Sequence, residues 1–165
     1  MRLLVTGASG WIGSAAVTEL LAAGHQVLGL ARSDPAQAAV ERLGAQAVRG
    51  SLDDPASLRS AAHGVDGVVH LAYNHDFSRM GEAARTDRAA IDALADALAG
   101  SGGPLLIAAG TLGLAPGRVG TEDDTPDPAV HPRVGNAAYA LSLAERGIRP
   151  LVVRFAPTVH GTGGD

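Results

Sequence analysis

Three glycines stand at G-x-x-G-x-x-G spacing in Leu3-Leu4-Val5-Thr6-Gly7-Ala8-Ser9-Gly10-Trp11-Ile12-Gly13, behind an apolar run and ahead of a helical pattern over Ser14–Ala23. That order fits the binding of a dinucleotide pyrophosphate. Gly7 lets the chain turn sharply off a strand, Gly10 lets main-chain N–H groups approach the phosphates, and Gly13 lets the helix pack closely on the sheet. The phosphates then meet unpaired amides and the positive dipole end of a helix.

The second apolar run, Val27–Leu30, leads into Ala31-Arg32-Ser33, where NAD binding wants a carboxylate for the ribose hydroxyls and NADP binding wants a cation. Arg32 therefore points to NADP, since a guanidinium grips a phosphate through two hydrogen bonds. NAD is the alternative, with Arg32 a solvated loop residue and Asp34 on the ribose. Asp34 before Pro35 reads instead as a helix cap.

Other polar residues have plainer readings. His70 lies inside a strand pattern and is expected to be a structural histidine satisfied by backbone. Tyr73-Asn74-His75-Asp76 follows a strand and reads as a solvated loop, with contact to substrate as the alternative; His160 could face the substrate pocket, whereas His131 reads as a loop histidine. The six histidines lack metal-ligand spacing, so no metal is expected. Asp53-Asp54 and Asp123-Asp124 read as solvated acids or helix caps.

The elements that position these residues alternate. Strand patterns fall near Arg2–Thr6, Gln26–Ala31, Ala45–Arg49, Gly67–Ala72, Pro104–Ala109 and Pro150–Phe155, with helical patterns between them. Asp34-Pro35 and Asp54-Pro55 read as starts, and Gly24, Gly44, Gly64 and Gly147 as stops. The pattern predicts an α/β, Rossmann-type doubly wound parallel sheet of six strands in order 3-2-1-4-5-6, helices on both faces, as one domain over 1–165. The stretch Leu112–Pro132, rich in Gly, Pro and Asp, reads as a long loop over the strands' carboxyl ends.

Composition agrees with this. Aromatics are 3% of a chain that is 46% hydrophobic, so the core must be built from Ala, Val, Leu and Ile. A net charge of −4 gives no footprint for nucleic acid or an anionic membrane. The absence of cysteine excludes disulfides and thiolate chemistry. The first strand begins at Arg2, leaving no room for a signal peptide, and no apolar run has the length of a membrane span, so a cytoplasmic protein is expected. The expected partner is a small-molecule substrate, with a homodimer left open.

Taken together, Thr6–Gly13, Gly50-Ser51-Leu52-Asp53-Asp54, Val69-His70-Leu71-Ala72 and Val153-Arg154-Phe155-Ala156-Pro157-Thr158-Val159-His160-Gly161 resemble the short-chain dehydrogenase/reductase superfamily, in its extended or atypical NAD(P)-dependent epimerase/dehydratase-like branch. The resemblance implies that Gly7, Gly10, Trp11 and Ile12 hold the pyrophosphate, with Ser9 and Gly13 beside them. It also implies that Leu52 flanks the adenine, that Leu71, Ala72 and Tyr73 line the ribose and nicotinamide side, and that Pro157, Thr158 and Val159 face the nicotinamide. Arg32 and Ser33 complete the cofactor set.

The catalytic pattern departs from that family, which uses a Ser or Thr after the fifth strand and Tyr-x-x-x-Lys on the next helix. All 13 basic residues are arginines, so the lysine is missing. Tyr139 is followed four residues on by Leu143; aligned backwards from Arg154, Arg133 takes the lysine's place and Ala129 the tyrosine's. The fifth strand ends Ile107-Ala108-Ala109-Gly110-Thr111. Thr111, His75 and Tyr139 remain as catalytic candidates. The family's chain normally continues past the sixth strand into a substrate-binding region, whereas this sequence stops at Gly163-Gly164-Asp165, as a fragment of a longer enzyme or as a minimal cofactor-binding module. The function expected is that of an NAD(P)-dependent oxidoreductase or epimerase/dehydratase-like protein acting on a small carbonyl or hydroxyl compound. The alternative is a catalytically silent NADP-binding sensor or regulatory module.

Overall fold

Arg2–Thr6 (β1) and Gln26–Ala31 (β2) are buried at every position but the first, as strands covered on both faces are. The computed structural model describes residues 1–111, 113–127 and 132–159. After β1 come α1 (Trp11–Ala22), β2, α2 (Asp34–Arg42), β3 (Gln46–Arg49), α3 (Pro55–Ala62) and β4 (Gly67–His70). A short turn of 3₁₀ helix at Phe77–Arg79 leads into α4 (Met80–Leu98), β5 (Pro104–Gly110), α5 (Pro132–Ser142), a second 3₁₀ turn and β6 (Arg149–Phe155). All strand pairs are parallel, in the expected order β3-β2-β1-β4-β5-β6.

Alternate residues of each strand face opposite layers. Leu4, Leu28, Leu30, Val68, Leu105 and Ile107 pack with Leu58 of α3, Ile91, Leu94 and Leu98 of α4 and Ala140 of α5. Val5 and Val27 face the other way, toward Val17 of α1 and Val40 of α2. Fully burying a Leu or Val side chain contributes about 1.5–3 kcal/mol. The Val and Ala layer holds fewer carbons and depends on close approach: a Cβ on Gly29 would lie 2.5 Å from Val40 Cγ1. Ala, Val, Leu and Ile thus fill the interior.

Boundaries differ from the sequence reading in specific places. α1 starts at Trp11 rather than Ser14, so the last glycine of the triplet is already helical. β4 stops at His70, leaving Leu71 and Ala72 as extended chain beyond the strand. The cap of α2 is Ser33, whose hydroxyl accepts from Ala36 N at 3.4 Å, so Asp34 is the first helical residue rather than the cap. Asp54 does cap α3, accepting from Ala56 N at 3.1 Å and Ser57 N at 3.2 Å. Gly24, Gly44, Gly64 and Gly147 close their segments with positive φ. Residues 113–127 form turns without a helix or strand, at the carboxyl edge where the long loop was expected.

Candidate functional site

The carboxyl ends of β1 and β4 meet at a crevice, because the chain winds outward from β1 to β2 and then crosses back to β4. The glycine loop lies there. Gly7 adopts φ +70, and a Cβ on it would fall 2.8 Å from Ala72 N, so both the turn and the neighbouring chain demand glycine. A Cβ on Gly13 would lie 1.9 Å from Gly7 O, which is the close helix contact the spacing predicts. Gly10 differs, since a Cβ there would meet only that same oxygen, at 3.2 Å. Its far side is open to a ligand. Gly10 is also the N-cap of α1 and offers no side-chain acceptor, so the first amides of the helix are left for an anion. Trp11 and Ser9 are exposed beside them. These features fit a pyrophosphate.

Behind the loop runs a buried polar chain. Thr6 Oγ1 accepts from Ala72 N at 3.2 Å and lies 2.7 Å from His70 Nδ1. The Asp87 carboxylate can only accept, which places the His70 proton on Nε2 and leaves Nδ1 of the neutral ring to accept from the Thr6 hydroxyl. Nε2 faces Asp87 Oδ1 at 3.3 Å. Asp87 Oδ2 in turn accepts from Asn136 Nδ2 at 2.7 Å, and Asn136 Nδ2 also donates to Ala84 O at 2.9 Å. His70 is thus structural as expected, but side chains of β1 and α4 satisfy it rather than backbone. Asp87 and Asn136 went unread in the sequence; an acid amid the buried alanines of α4 is the one signal that marks the first.

Past the end of β4 lies a cavity of about 370 Å³ lined by Tyr73, His75, Ala109, Arg133, Leu141 and Arg154, among others. The Arg133 guanidinium lies over the Tyr73 ring, 4.0 Å from its centre, and Arg133 Nη2 donates to Ala108 O at 3.3 Å. The His75 ring meets Tyr73 edge-on at 5.5 Å. Burial holds the Tyr73 phenol above its ordinary value of 10.0; the Arg133 charge pulls it down and the Asp87 charge pushes it up. Arg154 donates to Glu122 O at 3.1 Å and Asp124 O at 3.0 Å, tying the loop before α5 to β6. Asp124 is not a solvated acid: it pairs with Arg118 and accepts from Thr121 N at 2.8 Å, which hold its carboxyl well below the usual carboxylate range.

Residues 7–149 match the family model described as NAD(P)H-binding. The chain belongs to the NAD(P)H-binding family. An uncharacterised Saccharomyces cerevisiae relative is 40% identical over 99% of this chain and 56% of its own length. The 2-alkyl-3-oxoalkanoate reductase of Stenotrophomonas maltophilia is 41% identical over 42% of this chain and 21% of its own. The solved structure of MoeE5 with UDP-glucose and NAD superposes with TM-score 0.73 at 26% identity, over 94% of this chain and 54% of that one. This NAD(P)H-binding chain therefore spans about half the length of relatives such as the yeast protein. The NAD(P)H-binding family and the shared fold agree with the resemblance to the extended short-chain dehydrogenase/reductases that the motifs carry.

Within the NAD(P)H-binding frame, the expected residues fall in several separate places. Gly7, Ser9, Gly10, Trp11, Ile12 and Gly13 form the loop and first turn at β1, and Leu71, Ala72 and Tyr73 run out from β4 beside them. Arg32 is exposed directly after β2, while the nearby Asp34 carboxylate pairs with Arg49 at 3.0 Å. Leu52 packs on the larger apolar cluster; Pro157 and Thr158 are exposed beyond β6. His75 lines the cavity and Thr111 follows β5 half-buried. Tyr139 stands apart, at the α4–α5 seam: it donates to Asp92, accepts from Arg146 Nη2 at 3.0 Å, and lies under the Arg88 guanidinium. Ala129, His131 and His160 lie outside the described residues. No described helix is long and apolar enough to cross a membrane.

Proposed function

We propose that this chain binds NADP and forms the dinucleotide-binding part of an oxidoreductase acting on a small carbonyl or hydroxyl compound. The observation that carries the reading is the position of Tyr73. It ends the run Leu71-Ala72-Tyr73 beside the glycine loop and also walls the 370 Å³ cavity, so one residue adjoins both the dinucleotide crevice and a space for substrate. Gly7 to Gly13 would hold the pyrophosphate, Leu52 the adenine, Arg32 and Ser33 the 2′-phosphate, and Leu71, Ala72, Tyr73, Pro157 and Thr158 the nicotinamide side. When bound, the nicotinamide supplies or accepts a hydride. The cavity wall excludes water and orients the reacting carbon, and His75 is the titratable side chain of the candidate set that reaches it. NADP is favoured over NAD because Arg32 is exposed for a phosphate while the acid nearest it is held by Arg49.

Reduction of short 3-oxoalkanoates and aldehydes by NADPH, followed through the absorbance of the reduced nicotinamide, tests the reading. Consumption with at least one compound is expected. Tight NADPH binding without consumption of any would overturn it in favour of a silent binding module.

A further inference from the structure

Arg154 is a half-buried cation in the wall of a cavity otherwise made mostly of carbon. Its hydrogen bonds go to the main-chain carbonyls of Glu122 and Asp124, which fix the guanidinium in place but leave its charge. Among the described residues no carboxylate lies within ion-pair distance of it, and the side chain of Asp124 is already paired with Arg118. A positioned, partly desolvated charge without a counter-ion is an unfavourable element of a fold unless a ligand supplies one. The cavity's other charged walls are Arg133, at the Tyr73 ring, and Asp76, which accepts from Ser78 N at 3.0 Å with Arg79 nearby.

The sheet sets how far the charge stands from the cofactor side. Arg154 is on β6, in register with Ala109 of β5, and β5 separates it from β4 and the Tyr73 segment. Neighbouring strands run about 4.8 Å apart, so the two ends are separated by roughly 10 Å. Ala109, Ala137 and Val152 supply apolar wall to the same cavity.

We propose that Arg154 anchors the carboxylate of an aliphatic oxo or hydroxy acid whose reacting carbon lies several bonds away, at the Tyr73 end of the cavity. This rests on the oxidoreductase reading and adds the substrate class. Arg154 is then a specificity-determining residue, acting through bidentate hydrogen bonds that an amide or ester cannot match.

Hexanoate and hexanamide, which share a carbon chain and differ in charge, are titrated into the chain with and without NADP⁺, and NADPH binding is followed separately through tryptophan fluorescence. Hexanoate should bind at least about tenfold more tightly than hexanamide, the preference should shrink with added salt, and Arg154→Gln should abolish it. Because Arg154 also holds the loop before α5, a variant that does not fold leaves the decision to the wild-type comparison. Equal affinities in the wild type, binding of neither ligand, or a preference that survives in folded Arg154→Gln would overturn the proposal. Failure of NADPH to bind, with the hexanoate preference intact, would overturn the oxidoreductase reading and leave the carboxylate site standing.

Discussion

Thr6 Oγ1 lies 2.7 Å from His70 Nδ1, joining the last residue of β1 to the last residue of β4 across the crevice. The same oxygen holds Ala72 N, so the chain that continues toward the cavity is fixed by the residue that precedes the glycine loop. Asp87 and Asn136 extend the link into α4 and α5. Removing the acid leaves His70 Nε2 and one Asn136 donor unmet in the interior, at about 1–3 kcal/mol for each unsatisfied group. Asp87→Ala should therefore lower unfolding free energy in urea by about 2–4 kcal/mol. A loss under 1 kcal/mol would show that water enters and replaces the carboxylate.

Arg32 should separate the two cofactors. A partly exposed arginine–phosphate pair is screened by salt, yet bidentate geometry retains about tenfold to a hundredfold in affinity. Arg32→Ala should weaken NADP by that factor and leave NAD nearly unchanged, with both dissociation constants measured at one ionic strength. Equal losses would assign Arg32 to the adenine or to the loop, and NADP would lose its support.

High pH should destabilise the fold through its tyrosines. Tyr73 is raised above 10.0 chiefly by burial, and Tyr139 is raised chiefly by its hydrogen bond to Asp92. The native state therefore keeps these protons where the unfolded chain has released them, so stability falls as pH climbs past 10. Replacing both tyrosines with phenylalanine should flatten the stability curve between pH 9 and pH 11. Tyr73→Phe alone should cost nothing at pH 7, since the buried Tyr73 hydroxyl has no hydrogen-bond partner among the described residues. A steep alkaline loss in the double variant would trace the effect to other groups.

The sheet order was legible because parallel strands buried on both faces and helices stopped by glycine each leave a local pattern. The glycine triplet was legible for the same reason, each residue answering to a backbone contact within a few positions. The cap of α2 was misplaced by one residue because Ser33 and Asp34 are both good caps and only the geometry chooses between them. The cavity was harder to foresee. Tyr73, Arg133 and Arg154 come from three distant segments, and nothing local in Val153-Arg154-Phe155 tells a guanidinium bound to the carbonyls of Glu122 and Asp124 from one in solvent. Asp87 and Asn136 were hidden likewise, since their partners lie on other elements.

The central claim is that the loop from Gly7 to Gly13 binds the pyrophosphate of a nicotinamide dinucleotide. Trp11 is the chain's one tryptophan, 42% exposed at the first turn of α1, so its fluorescence reports directly on that loop. Gly10→Val adds bulk where the chain leaves space, whereas Gly13→Ala drives a methyl into Gly7 O and should disturb the fold itself. Titration with NADPH should quench Trp11 saturably in the wild type and leave it unquenched in a folded Gly10→Val protein. Saturable quenching of equal affinity in both proteins, or none in the wild type, would contradict the account.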